Sequence, residues 1–216
     1  MKAMILAAGK GTRLAPLTDK TPKPLLPVKG VPLLLTLVEK LRLAGVREVV
    51  VNTHHLGHQI EDMLGDGSAL GMTVTYSREH VLLETGGGVK RALPLLGDEV
   101  FILCNADIYS SFELALLPEK LQPGDQAHLV LVPTPPNRPA GDFSYADGRV
   151  TARGGDYVYS GMALLHRELF DNSPDGAFSL RDLLFRATAQ GRVSAQVHFG
   201  SWSDIGTHAE YAAVNA

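Results

Sequence analysis

The 216-residue chain contains one cysteine, Cys104, which excludes an intrachain disulfide and a cysteine-cluster metal site. Such usage fits a reducing compartment with a small buried thiol, and a cytoplasmic location is expected. Long apolar runs are absent. The best, residues 31–38, is broken by Pro32 and Thr36 and falls far short of the roughly 18 residues that cross a bilayer. Excess positive charge is absent too. Twenty Lys and Arg against 23 Asp and Glu leave a formal charge of −3, so no nucleic-acid or membrane partner is expected. There is no internal repeat, low-complexity tract or coiled-coil heptad. Without hexapeptide repeats, no β-helical domain is expected.

Apolar runs and helical patterns alternate through the first half. Residues 2–7 form a continuous apolar strand candidate rather than a leader. Residues 33–44 carry leucines at helical spacing and stop at Gly45. Strands are expected at 48–52, 72–77 and 100–105, with helices at 57–64 and 87–96 between them. Repetition of this kind with Val/Ile/Leu-rich strands argues for a mostly parallel, doubly wound α/β sheet. The second half changes character: a strand at 129–132 runs into Pro133, Pro135, Pro136 and Pro139. A hairpin follows, 141–145 and 149–152, turning at Asp147-Gly148. A strand at 157–165, a helix at 180–190 capped by Ser179, a strand at 193–199 and a helical tail at 207–214 complete the reading. The expectation is one α/β domain, 1–216, with a small β-rich insertion.

Directly after the first strand comes Ala7-Ala8-Gly9-Lys10-Gly11-Thr12-Arg13. Small residues at a strand's carboxyl end let backbone N–H groups approach phosphates. Two familiar readings fail. The glycine spacing is wrong for a P-loop. A dinucleotide fingerprint needs a third small residue opening a helix and an acidic end to the second strand. Here Leu14, Asn52 and the prolines Pro16, Pro22, Pro24 and Pro27 stand instead.

The longer pattern is informative. Residues 6–18 are followed by Thr21-Pro22-Lys23-Pro24-Leu25-Leu26-Pro27-Val28, and later come Asn105-Ala106-Asp107 and Trp202-Ser203-Asp204-Ile205-Gly206-Thr207. Together these resemble the sugar-1-phosphate nucleotidyltransferases across nearly the whole chain. The resemblance implies a Rossmann-like nucleotidyltransferase domain, with residues 1–107 mainly binding nucleotide and 108–216 mainly binding sugar. It implies two small-molecule substrates, a nucleoside triphosphate and a sugar 1-phosphate, in a monomer or small homo-oligomer. Attack of the sugar phosphate on the α-phosphorus crowds negative charge, so positioning and cations must lower the barrier. Arg13 offers a planar fork of donors to the leaving phosphates, and Lys23 is held between two prolines. These are the expected catalytic groups. Ala7, Ala8, Gly9, Gly11, Thr12 and Arg13 are expected to cradle the nucleotide.

Asp107 and Asp204 are expected to hold Mg²⁺, a hard cation suited to one or two carboxylates plus phosphate oxygens. No general base is required, because the attacking phosphate is largely ionised at pH 7. Much of the family has glycine where this chain has Ala106. By the same resemblance Glu79, Thr85 and Gly86 contact the base. A carboxylate at Glu79 accepts from a base N–H, which suits uracil or thymine and does not exclude guanine. Asn105, Asp142 and Gly161 are implied to line the sugar pocket. Leu83–Gly88, Gly141-Asp142-Phe143 and Tyr159-Ser160-Gly161 are similar to a narrower subgroup, the short uridylyltransferases acting on N-acetylmuramate 1-phosphate in cell-wall recycling. Guanylyltransferases of mannose 1-phosphate, uridylyl- or thymidylyltransferases of glucose 1-phosphate, and a non-catalytic nucleotide-sugar sensor are the alternatives. A sensor should lack one of Arg13, Lys23, Asp107 or Asp204, and all four are present. His54, His55 and His58 have metal-ligand spacing but read as polar residues of a loop and helix start.

Overall fold

A computed structural model describes residues 1–136 and 138–216. Four strands, β1 (Lys2–Leu6), β2 (Glu48–Thr53), β3 (Thr73–Arg78) and β4 (Phe101–Asn105), pair in parallel in the order β3-β2-β1-β4. The crossovers carry α1 (Leu33–Leu43), α2 (Gly57–Leu64) and α3 (Glu84–Leu96). The later strands are β5 (Ala127–Pro133), β6 (Phe143–Ala146), β7 (Arg149–Arg153), β8 (Tyr157–Leu165) and β9 (Val193–Val197). They extend the sheet to nine strands in the order β3-β2-β1-β4-β8-β5-β9-β7-β6. Two helices, α4 (Leu180–Ala189) and α5 (His208–Asn215), complete the chain.

Parallel pairing is concentrated in the first half. β8 runs antiparallel to both β4 and β5, and among the later strands only β9 on β5 is parallel. The β-rich part therefore continues the same sheet. Asp147 and Gly148, both at positive φ, turn the β6–β7 hairpin, as a two-residue primed turn requires.

Side chains alternate between the two faces of the sheet. Ala3 and Ile5 of β1 pack under α1 and α2, whereas Met4 packs with α3 and α4. A third, smaller cluster joins Leu14, Leu26, Val28 and Leu33 to Ile205. The register aligns Leu6 with Asn52 and with Asn105, so the loops leaving β1, β2 and β4 emerge at one edge. That carboxyl edge is where open α/β sheets bind ligands. No helix among the described residues is long and apolar enough to cross a membrane.

Candidate active site

The loop after β1 turns at Gly11, whose φ of +65° favours glycine. Short helical turns at Thr12–Leu14, Leu17–Lys20 and Lys23–Leu25 follow, and the first long helix begins only at Leu33. The prolines thus permit single turns while delaying a full helix. Leu14 is fully buried against Ile205, and this small apolar cluster joins the loop to the distant Trp202–Asp204 segment. Burial of one such leucine contributes roughly 2 kcal/mol. The strapping continues through α5: Tyr211 donates to Pro27 O at 2.8 Å, and His208 Nε2 lies 2.8 Å from Ala15 O.

Two short strands, Ile108–Ser110 and Trp202–Asp204, form an antiparallel pair that the residue pattern did not announce. Asp204 is opposite Ile108, and Ile205 N donates to Asp107 O at 3.1 Å. The two aspartates, almost a hundred residues apart in sequence, become neighbours. Burial, and then the nearby Asp107 carboxylate, push the Asp204 carboxyl above the usual range, with Lys23 and Arg138 opposing. Lys23, itself buried, bonds Asp107 Oδ2 at 2.6 Å, and Arg138 donates to Asp204 Oδ2 at 3.1 Å. Arg13 is exposed, with its guanidinium against Gly206; a Cβ there would sit 2.7 Å from Arg13 Nη2. Arg13, Lys23, Asp107 and Asp204 therefore converge.

No set of three or more His, Cys, Asp or Glu placed for a metal occurs among the described residues. A pair of close carboxylates, one of them poorly solvated, suits a hard dication that completes its shell with phosphate oxygens and water. His54 and His55 engage backbone carbonyls, of Glu79 and Thr18 respectively.

Around the loop, Ala7 and Ala8 are buried, whereas Gly9, Lys10 and Thr12 are exposed. A side chain at Gly9 would meet open space. Ala7 N donates to Asn52 Oδ1 at 2.7 Å, and Asn52 Nδ2 donates to Glu79 Oε1 at 2.7 Å. Leu83 N donates to Glu79 Oε2 at 2.9 Å. Glu79 is only 5% exposed, so the expected base reader has both oxygens engaged within the protein. Gly86 N likewise donates to Phe178 O, and Thr85 Oγ1 accepts from Leu180 N. Glu79 and Gly86 thus brace the site in this structure, because buried carboxylates and N–H groups must find partners. In the sequence Asn52 signals only the lack of an acidic residue at the end of the second strand; its linking role depends on the β1–β2 register.

A cavity of about 210 Å³ is lined by Asn105, Asp142, Thr85 and Tyr159, with Arg138 and Arg181 also on its wall. The structure brings Asn105 and Asp142, both expected to contact the sugar, to one cavity. Gly161 stands behind Asn105: its φ is +83°, and a Cβ would meet Asn105 Nδ2 at 3.0 Å. It coincides with a register shift between Tyr159 and Ala163, where glycine relieves the irregular ladder. Ala106, the departure from glycine, is buried in the first core cluster, where its methyl finds apolar neighbours. Arg138 and Arg181 carry no signal in a single sequence beyond their charge, since one sits in a proline-rich loop and the other opens a helix.

A family profile described as Nucleotidyl transferase matches residues 2–151. An N-acetylmuramate alpha-1-phosphate uridylyltransferase of Neisseria meningitidis is 44% identical, over 96% of this chain and 94% of its own length. The enzyme of that name from Caulobacter vibrioides is 35% identical over 94% and 91%. A mannose-1-phosphate guanylyltransferase of Mycobacterium tuberculosis is 30% identical; the match covers 97% of this chain but 62% of that relative. In fold, a Bacillus anthracis protein assigned as a glucose-1-phosphate thymidylyltransferase superposes with a TM-score of 0.85. It covers 100% of this chain and 94% of its own, at 22% identity. With its converged basic and acidic groups beside a glycine-rich loop, the chain belongs to the nucleotidyl transferase family and is a nucleotidyltransferase enzyme.

Proposed function

We propose that this enzyme transfers a uridylyl group from UTP to N-acetylmuramate 1-phosphate with Mg²⁺, releasing pyrophosphate, in cytoplasmic cell-wall recycling. The observation that carries the reading is the meeting of Arg13, Lys23, Asp107 and Asp204 at the carboxyl edge of the sheet. The 44% identity over 96% of the chain supports the choice of base and sugar.

Asp107 and Asp204 would hold the dication, which when bound neutralises charge building on the phosphates. Lys23 lies within reach of the same space, and its ammonium favours an attacking sugar phosphate there. Arg13, exposed at the loop, offers its donors to the leaving phosphates. Exposed backbone at Gly9 and Lys10 lets the triphosphate approach closely. These groups act by positioning and by complementing charge, so no side chain has to move a proton.

The test is pyrophosphate release with Mg²⁺, each nucleoside triphosphate being paired with a panel of sugar 1-phosphates. Release with UTP and N-acetylmuramate 1-phosphate is expected. Preferred turnover of GTP with mannose 1-phosphate would keep the reaction and replace the substrates. Silence across the panel despite nucleotide-sugar binding would favour a sensing role.

A further inference from the structure

We infer that Arg181 reads a carboxylate on the sugar 1-phosphate, making this chain selective for an acidic sugar; the inference rests on the proposed function. The cavity has two distinct walls. One adjoins the aspartate pair, since Arg138 bonds Asp204 and Asn105 lies two residues before Asp107. The other is the start of α4, where Ser179, Leu180 and Arg181 face the cavity. A sugar whose 1-phosphate sits at the aspartate and lysine end therefore extends its other substituents toward Arg181.

The charge on that far wall is only loosely paired within the protein, with the Asp142 carboxylate. Arg181 Nη1 is 4.0 Å from Asp142 Oδ1, too far for a hydrogen bond, and its side chain is 62% exposed. Asp142 instead accepts from Tyr159 N at 3.1 Å through Oδ2. Arg138, in contrast, is already engaged by Asp204. Arg181 thus presents a planar guanidinium matched to two carboxylate oxygens. It does so in the first turn of a ten-residue helix, whose dipole favours an anion. Tyr159 lines the same cavity, but its hydroxyl is buried in the protein, where burial raises its pKa, so the charged recognition on this wall falls to Arg181.

N-acetylmuramate 1-phosphate carries a carboxylate on its lactyl ether, and its lactyl carboxamide has nearly the same shape without the charge. The experiment compares kcat/KM for the acid and the amide in the wild type, in Arg181→Gln and in Arg181→Lys, with melting temperatures as a fold control. The wild type should prefer the acid, and Arg181→Gln should reduce the acid-to-amide ratio about tenfold or more. Arg181→Lys should restore part of it, and would carry the comparison alone if Arg181→Gln failed to fold. Equal losses on acid and amide would mean that Arg181 binds the 1-phosphate, and would overturn the inference while leaving the proposed function standing. A wild type that turns over acid and amide alike would do the same. Turnover of an uncharged sugar 1-phosphate with none of N-acetylmuramate 1-phosphate would overturn both.

Discussion

Two glycine-rich segments lie in the first half of this enzyme, after β1 and in α3, and they use glycine for opposite reasons. In the loop after β1, a side chain added at Gly9 would meet open space. The lack of a Cβ there leaves the backbone exposed. In α3, a methyl at Gly86 would strike the Phe178 ring, and one at Gly87 would strike Gly176 O. One at Gly88 would lie 2.8 Å from both Asn52 Nδ2 and Glu79 Oε1. Those three glycines serve close approach between protein elements, and none needs a positive φ. The same residue type therefore marks an open surface in one place, where we propose that the triphosphate binds, and a packed seam in the other.

This contrast predicts that loss of function and loss of stability separate. The largest effect should come from the charged end of the site. Asp204→Asn should cut turnover by about 100-fold or more, since charge stabilisation of this kind is worth several kcal/mol. Its fold should hold or gain. The raised Asp204 pKa means that the native state binds the proton more readily than the unfolded chain. Ionisation therefore costs stability as pH rises through the folded pKa, and asparagine removes that cost at neutral pH. A melting curve beside the turnover assay checks both signs, and Mg²⁺ should raise the melting temperature of the wild type but not of the variant.

Gly87→Ala sharpens the comparison further. Helix propensity alone predicts a gain of about 1 kcal/mol over glycine. Overpacking against Gly176 O predicts a loss of about 1–3 kcal/mol, at about 2–4 °C per kcal/mol for a chain of this size. Thermal unfolding reads the sign directly, and a higher melting temperature would remove the packed-seam reading.

Glu79→Gln tests whether this carboxylate acts inside the protein or on a base. An amide presents one –NH₂ to the donors Asn52 Nδ2 and Leu83 N, leaving one of them opposed. A loss of about 1–3 kcal/mol in stability is expected. A selective rise in KM for the nucleoside triphosphate at unchanged melting temperature would return Glu79 to base reading. The smallest structural effect should be that of Gly9→Ala: a melting temperature within about 2 °C of wild type, because surface changes usually stay within about 0.5 kcal/mol. The triphosphate KM should nevertheless rise if exposed backbone at Gly9 meets phosphate.

Much of the site was legible before any fold was known, for a local reason. The Gly11 turn acts through its own backbone, as does the Asp147-Gly148 turn of the hairpin elsewhere in the fold, so local sequence reveals them; Lys23 is marked out by its motif. Other roles were illegible because their partners are remote. Asn52 matters through the 2.7 Å bond to Ala7 N, 45 positions away, and Glu79 is turned inward by that same Asn52. Trp202–Asp204 is too short to register as a strand by pattern, and it pairs only once Ile108–Ser110 is placed beside it.

Alternating strands and helices, the glycine turn and the hairpin are properties of the sequence itself, following from periodicity and from backbone preferences that need few neighbours. The four charged groups are marked out by the resemblance of their motifs to the sugar-1-phosphate nucleotidyltransferases. Tertiary structure alone decided that β8 reverses direction and extends one sheet through both halves. It also decided that Leu14 and Ile205 bury together and so carry Asp204 to Asp107, and that Arg181 is left without a close partner at the cavity wall. Those outcomes depend on desolvating groups far apart in the chain, and desolvation is a property of the assembled interior rather than of any segment.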